Sequence, residues 1–329
     1  MSEGGRLLVF VAAILIVPVG LSRVFLLKTD FDSKPIAQLL ESRPNVVMLA
    51  DSMLDNGVDP QLMSDLLDGR RVELLWYGGS TSASWYYRLK NHILASGIKP
   101  ELVCILFRDR MLTQPTLRTE GTYRYKLEAV MHNDEPTYPI AFGRKADGKY
   151  DLEGLIDIFY PLNARRHVTP EKIERRLIRA LADFGITVTE LRNSINATFA
   201  VSQLRGGGAQ EALALAAEEE AEFDPDPQRS FLPHMVEAAR QANVRLCFLR
   251  VKRFPQPDGV VTQSASLRQY ITQLEQWIES HGSYFLDDTG NLERTRDMYF
   301  TPGDDHMAPW AKRKSTELYA RELRTILSQ

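Results

Sequence analysis

The chain has 329 residues, 44% of them hydrophobic and 25% charged, and a net charge of −3. These are ordinary globular values, and the length fits one large domain or two small ones. Near-neutral charge gives no basic field for nucleic acid, and two cysteines exclude a disulfide framework and a Cys/His zinc pattern.

The amino terminus stands apart. Residues 7–27, LLVFVAAILIVPVGLSRVFLL, carry one charge, Arg23. At 1.5 Å per residue the run spans about 30 Å, the thickness of a bilayer core. Residues 1–30 therefore read as a membrane anchor, with Arg23 placed to snorkel. The other reading is a cleaved signal peptide, since Gly20 and Ser22 are small enough for a cleavage site. Arg6 precedes the run and Lys28 and Lys34 follow it, so the positive-charge count does not favour export of the remainder.

Beyond the anchor, short apolar runs alternate with amphipathic ones. Residues 45–50 read as a first strand, 60–67 as a short helix, 71–77 as a second strand and 84–96 as a helix with Leu89, Ile93 and Leu94 on one side. Residues 101–107 form a third strand, 231–242 a helix, and 244–251 a fourth strand. Residues 267–281 follow as a helix whose Leu267, Ile271, Leu274 and Ile278 share a face, then 283–287 as a fifth strand. Residues 309–327 form a last helix with Pro309 in its first turn. Nearly continuous apolar strands between helices predict a parallel sheet covered on both faces. Cys104 and Cys247 fall in the third and fourth strands, where they read as small buried hydrophobes unless those strands are neighbours close enough for a bridge.

The alternation breaks between residues 111 and 230. This insertion separates a first part of the domain (31–110) from a second (231–329). It holds a charged helix at 170–184, then a glycine hinge, an Ala/Glu-rich helix and an acidic loop over 205–228. It reads as a solvated helical insertion, or as a lid or docking surface.

In a doubly wound sheet, ligands bind beyond the carboxyl ends of the strands. At those ends stand Asp51 and Ser52, then Gly78 to Ser82, then Arg108 to Arg110; Asp304, Asp305 and His306 precede the last helix. A serine, glycine amides, a cation and an Asp/His pair are the parts of an acyl-transfer site. Each part has a plainer use. Ser52, Ser80 and Ser82 are all placed to cap helices. Gly78 and Gly79 suit a tight turn, and Asp304 and Asp305 suit the acidic first turn of a helix. An α/β-hydrolase elbow at Ser80 would need glycine at position 82, which is serine.

VVMLADSM (46–53) resembles the first block of the SGNH, or GDSL-like, hydrolase superfamily, with Ala50 in place of its usual glycine. WYGGSTS (76–82) is similar to the second block and GDDHMAPWA (303–311) to the fifth. The Asp-x-His spacing fits the membrane-anchored, alginate O-acetyltransferase-like branch. The third block departs: CILFRDR (104–110) puts Arg108 where hydrolases of the superfamily carry an asparagine. Arginine is a stronger, charged donor, or it pairs with Asp51 or Asp109 and has no chemical role.

The resemblance covers about residues 44–110 and 230–328 and implies a flavodoxin-like, three-layer α/β/α fold with a parallel sheet, to which the residues add one N-terminal transmembrane helix and a long helical insertion that the resemblance does not explain. It implies Ser52 as nucleophile, His306 as base and Asp304 as its orienter, with Asp305 as fallback. It also implies the N–H groups of Ser52 and Gly79 (Gly78 next) and Arg108 as oxyanion donors, with Asp51 and Asp109 in support. No metal or cofactor is implied. The implied substrate is an O-acyl, chiefly acetyl, group on a cell-envelope polysaccharide. A multispanning membrane acyltransferase is the implied partner, at the inner membrane with the catalytic domain in the periplasm. The rival reading is an inactive SGNH-like scaffold or glycan-binding subunit, motivated by the altered first and third blocks.

Overall fold

A computed structural model describes residues 31–119, 122–132, 135–142, 221–300 and 306–329. The sheet is five-stranded and wholly parallel. Its strands are β1 (Val46–Ala50), β2 (Val72–Trp76), β3 (Leu102–Phe107), β4 (Arg245–Arg250) and β5 (Tyr284–Asp287), in the order β2-β1-β3-β4-β5. This is the flavodoxin-like order, with its switch point between β1 and β3. Val46 is paired with Val72 on one side and Leu102 on the other, so β1 is central and buried throughout. All five expected strands form, each within a residue or two of its expected limits.

The two sheet faces are packed by different helices. One face carries Val47, Leu49, Val103, Ile105 and Phe248 against α1 (Lys34–Ser42), α4 (Ser82–Arg88), α7 (Leu232–Ala242) and α8 (Ala265–Ser280). The other carries Val46, Met48, Cys104 and Leu249 against α2 (Ser52–Gly57), α3 (Pro60–Leu66) and α9 (Lys312–Leu327). The three layers follow from strands that are apolar on both sides. Cys104 and Cys247 are register partners in β3 and β4, buried as free thiols.

Several elements differ from expectation, helix α2 among those that the sequence reading lacks. The helix expected over 84–96 starts at Ser82 and passes into a π-helical turn, Leu89–Leu94. That turn places Asn91 and Lys90 on Glu135, at 2.7 and 2.5 Å. Helix α1, absent from the sequence reading, starts with Pro35 in its first turn and stops at Arg43 in the left-handed conformation.

Between β3 and α7, helices α5 (Thr122–Glu128) and α6 (Tyr138–Ala141) are described. Leu112, Leu127, Val130 and Ala141 of this stretch are buried in the main core. The helices expected over 170–184 and 205–220, and the apolar run 7–27, lie outside the described residues. Among the described residues no helix is long and apolar enough to cross a membrane.

Candidate active site

The carboxyl end of β1 delivers Asp51 and Ser52 to the switch point. Asp51 is the N-cap of α2: its backbone is extended, and its Oδ1 accepts the Met53 N–H at 3.0 Å. This corrects the reading of Ser52 as a cap. Ser52 is the first helical residue, and its hydroxyl is turned elsewhere. Ser52 Oγ lies 2.7 Å from His306 Nε2. Ser52 is half-buried and Asp51 buried.

His306 reaches this point from the stretch between β5 and α9. Its carbonyl accepts the Phe300 N–H at 2.9 Å, and Tyr299 bridges Met307 antiparallel. Tyr299 donates its hydroxyl to the Lys252 carbonyl at 2.9 Å, and Met298, Tyr299, Met307, Ala311 and Leu318 form a small core of their own. The backbone on which the imidazole sits is thereby tied to β4 and α9. Asp304 and Asp305 lie outside the described residues.

Tyr77 to Ser80 form a tight turn at the end of β2. The Ser80 N–H donates to the Tyr77 carbonyl at 2.9 Å, Gly79 has φ +77°, and Gly78 is not among the positive-φ residues. These features define a type II turn, which demands glycine at its third position. Ser80 Oγ donates to the Ala50 carbonyl at 2.8 Å and accepts the Trp85 indole N–H at 3.0 Å, and Ser82 Oγ donates to the Leu112 carbonyl at 2.6 Å. Neither hydroxyl caps α4, whose N-cap is Thr81. Both are buried; Ser80 holds the turn against β1 and Ser82 ties the start of α4 to the segment after β3, which removes the case for Ser80 as a nucleophile.

Arg108, at the end of β3, donates from Nη2 to Asp51 Oδ2 at 2.7 Å. Both side chains are nearly inaccessible, and Arg118 Nη1 approaches the same oxygen at 3.8 Å. Burial pushes the Arg108 pKa below its ordinary value, Asp51 opposes that shift, and Arg118 and Arg253 add to it. Asp109 turns the other way, with φ +43°, and binds Arg250 at 2.6 Å and also Arg253. Arg250 in turn reaches Asp287 at 3.1 Å. Asp109 thus ties the ends of β3, β4 and β5 together, and Arg108 pairs with Asp51.

A narrow cleft, with room for about one water molecule, opens beside the glycine turn, between Tyr77, Gly79, Arg118, Tyr123 and Lys126. It contains two cations and no carboxylate. Arg118, Tyr123 and Lys126 were missed by sequence reasoning: they lie in the stretch without periodicity, and no spacing ties them to the strand ends. Among the described residues no group of three or more His, Cys, Asp or Glu gathers as metal ligands.

Fold and site together define an α/β protein with a serine–histidine pair at the switch point of a flavodoxin-like sheet. No family model matches the chain, and no curated protein matches it. Several solved structures are similar at low identity, among them the following three. A GDSL-like lipase of Bacteroides thetaiotaomicron is 10% identical, over 91% of this chain and 98% of its own, with a TM-score of 0.36. A candidate acylhydrolase of Bacteroides fragilis is 11% identical, over 91% and 92%, with a TM-score of 0.35. An α/β hydrolase from the metagenome of Lake Arreo, Spain, is 16% identical, over 84% and 93%, with a TM-score of 0.31.

Proposed function

We propose that the protein is a membrane-anchored serine acyltransferase or esterase of the SGNH type. In this reading it acts on O-acyl, chiefly acetyl, groups of a cell-envelope polysaccharide. The observation that carries the reading is the 2.7 Å contact between Ser52 Oγ and His306 Nε2. A serine hydroxyl is a weak nucleophile until a base within hydrogen-bond reach takes its proton.

The reaction is a double displacement. With the proton on Nδ1, His306 accepts the Ser52 proton at Nε2 while Oγ bonds to the acyl carbon. The carbonyl oxygen becomes an oxyanion, held by the N–H groups of Ser52 and Gly79 and by the charge of Arg108. His306 then protonates the leaving oxygen and the acyl-enzyme remains. A sugar hydroxyl or water repeats the steps in reverse. Asp304 is assigned to orient the imidazole, with Asp305 as the alternative. Residues 7–27 would hold the domain to the inner membrane, facing the periplasm, beside a multispanning acyltransferase that supplies the acyl group.

One observation favours a second reading. The residue that stands where an oxyanion asparagine is expected is engaged by Asp51 in a buried ion pair. A scaffold or glycan-binding subunit derived from the same fold could keep that pair for stability alone.

The full-length protein in detergent, mixed with p-nitrophenyl acetate, distinguishes the two. The acyltransferase reading predicts a burst of nitrophenolate equal to the enzyme concentration, abolished in Ser52→Ala and slowed about 10³-fold or more in His306→Ala. A folded protein with no burst, whose Ser52→Ala variant retains cellular function, would establish the scaffold.

A further inference from the structure

Helix α5 makes an unexpected contact with the glycine turn. Lys126 Nζ donates to the Gly78 carbonyl at 3.0 Å. The Lys126 ammonium also lies 4.7 Å from the centroid of the Tyr77 ring and 5.6 Å from that of Tyr123. Tyr123 packs so closely on Gly79 that a Cβ there would overlap its ring.

The Gly78 carbonyl and the Gly79 N–H belong to one planar trans peptide and point in opposite directions. That peptide is the middle one of the type II turn. Its orientation is what separates type II from type I, and a flip would reverse the N–H. A residue that grips the carbonyl therefore fixes the direction of the N–H. A cation gripping it also draws electron density from the amide and strengthens the N–H as a donor.

We infer that Lys126 is a positioning residue for the oxyanion site, holding and polarising the peptide whose N–H stabilises the transition state. This rests on the assignment of Ser52 as nucleophile and Gly79 as donor. The end of the helix that carries Lys126 is anchored. The Asp32 N–H donates to the Ala129 carbonyl at 2.8 Å, and Asn91 Nδ2 donates to the Val130 carbonyl at 2.9 Å. The segment between β3 and α7 thus contributes directly to the site, through a residue that need not touch substrate.

The test uses full-length Lys126→Met and Lys126→Arg, with p-nitrophenyl acetate as acyl donor. In Lys126→Met, kcat for Ser52 acylation should fall about 10- to 100-fold with KM unchanged, less than the ~10²–10³ expected when a donor is removed outright. Lys126→Arg should recover part of the loss. Selective ¹⁵N-glycine labelling gives a second readout: the Gly79 amide proton should move upfield in Lys126→Met and stay near its wild-type position in Lys126→Arg. Equal acylation by wild type and Lys126→Met, or an unmoved Gly79 amide, would overturn the inference. A wild type that never acylates Ser52 while its Gly79 amide still responds to Lys126→Met would instead sink the acyltransferase reading and leave the positioning contact standing. If Lys126→Met does not fold, the amide comparison is made on Lys126→Gln, which lacks the charge.

Discussion

Asp51 and Arg108 meet 2.7 Å apart at the ends of β1 and β3, with 2% and 6% of their side chains exposed. The same carboxylate caps α2 through its other oxygen. One residue therefore sets the helix that carries Ser52 and also pairs with the arginine beside it. Removing one member of a buried pair leaves the other charge uncompensated, at a cost of about 3–5 kcal/mol. Asp51→Ala should lose that much in urea unfolding, with a further contribution of about 1 kcal/mol from the lost cap. Arg108→Met should lose less, because Asp51 keeps the Met53 N–H and Arg118. Equal losses in the two variants would contradict this assignment.

Gly79 is constrained twice, by its φ of +77° and by the Tyr123 ring above it. Gly79→Ala should cost about 1–2 kcal/mol for the left-handed backbone and more for the overlap with Tyr123. Tyr123→Ala in the same chain should relieve the second part alone. A double-mutant cycle with no coupling between the two positions would show that the ring is not in the way.

These contacts mark the limit of what the sequence makes legible. The strands are readable because buried parallel strands are apolar throughout, and the pairing of Ser52 with His306 because such a sheet gathers its strand ends at one edge. Ser80 and Ser82 read as helix caps, and only the structure shows their hydroxyls spent on the Ala50 and Leu112 carbonyls. Lys126 was invisible because its position is set by tertiary anchors such as Asn91 on the Val130 carbonyl, which leave no period in the chain. The π-turn over Leu89–Leu94 changes the hydrogen-bond ladder without changing the apolar pattern that predicted a helix.

His92, in that π-turn, is fully buried beside Phe31, Arg88, Asp32 and His132. Burial, and then the Arg88 charge, bring its pKa down from 6.5 to about 4. The unfolded chain therefore binds more protons than the folded one between about pH 4 and 6.5. Stability from this group is fully present above 6.5 and is lost as pH falls through that window. His92→Phe should flatten the acid limb of a Tm-against-pH curve; an unchanged limb would show that His92 is already charged in the fold.

Glu322 on α9 has the opposite sign. Burial, and then the Asp288 carboxylate, push its pKa up to about 8, against the pull of Arg294. Here the folded chain holds the extra proton. Its contribution is complete below the ordinary carboxyl value and declines as pH rises toward about 8, where the loss is complete. Glu322→Gln should remove that decline and be as stable as wild type or more so at pH 8. A variant that is less stable at pH 8 would mean that the charged form is the one the fold requires.

The most direct test of the central claim is the intact mass of the full-length protein after exposure to a fluorophosphonate probe. Activation of Ser52 by His306 predicts one adduct, mapped to Ser52, absent in Ser52→Ala and formed far more slowly in His306→Ala. A folded wild type that gains no mass, or labels equally well without His306, would contradict the claim that the 2.7 Å contact is a nucleophile with its base.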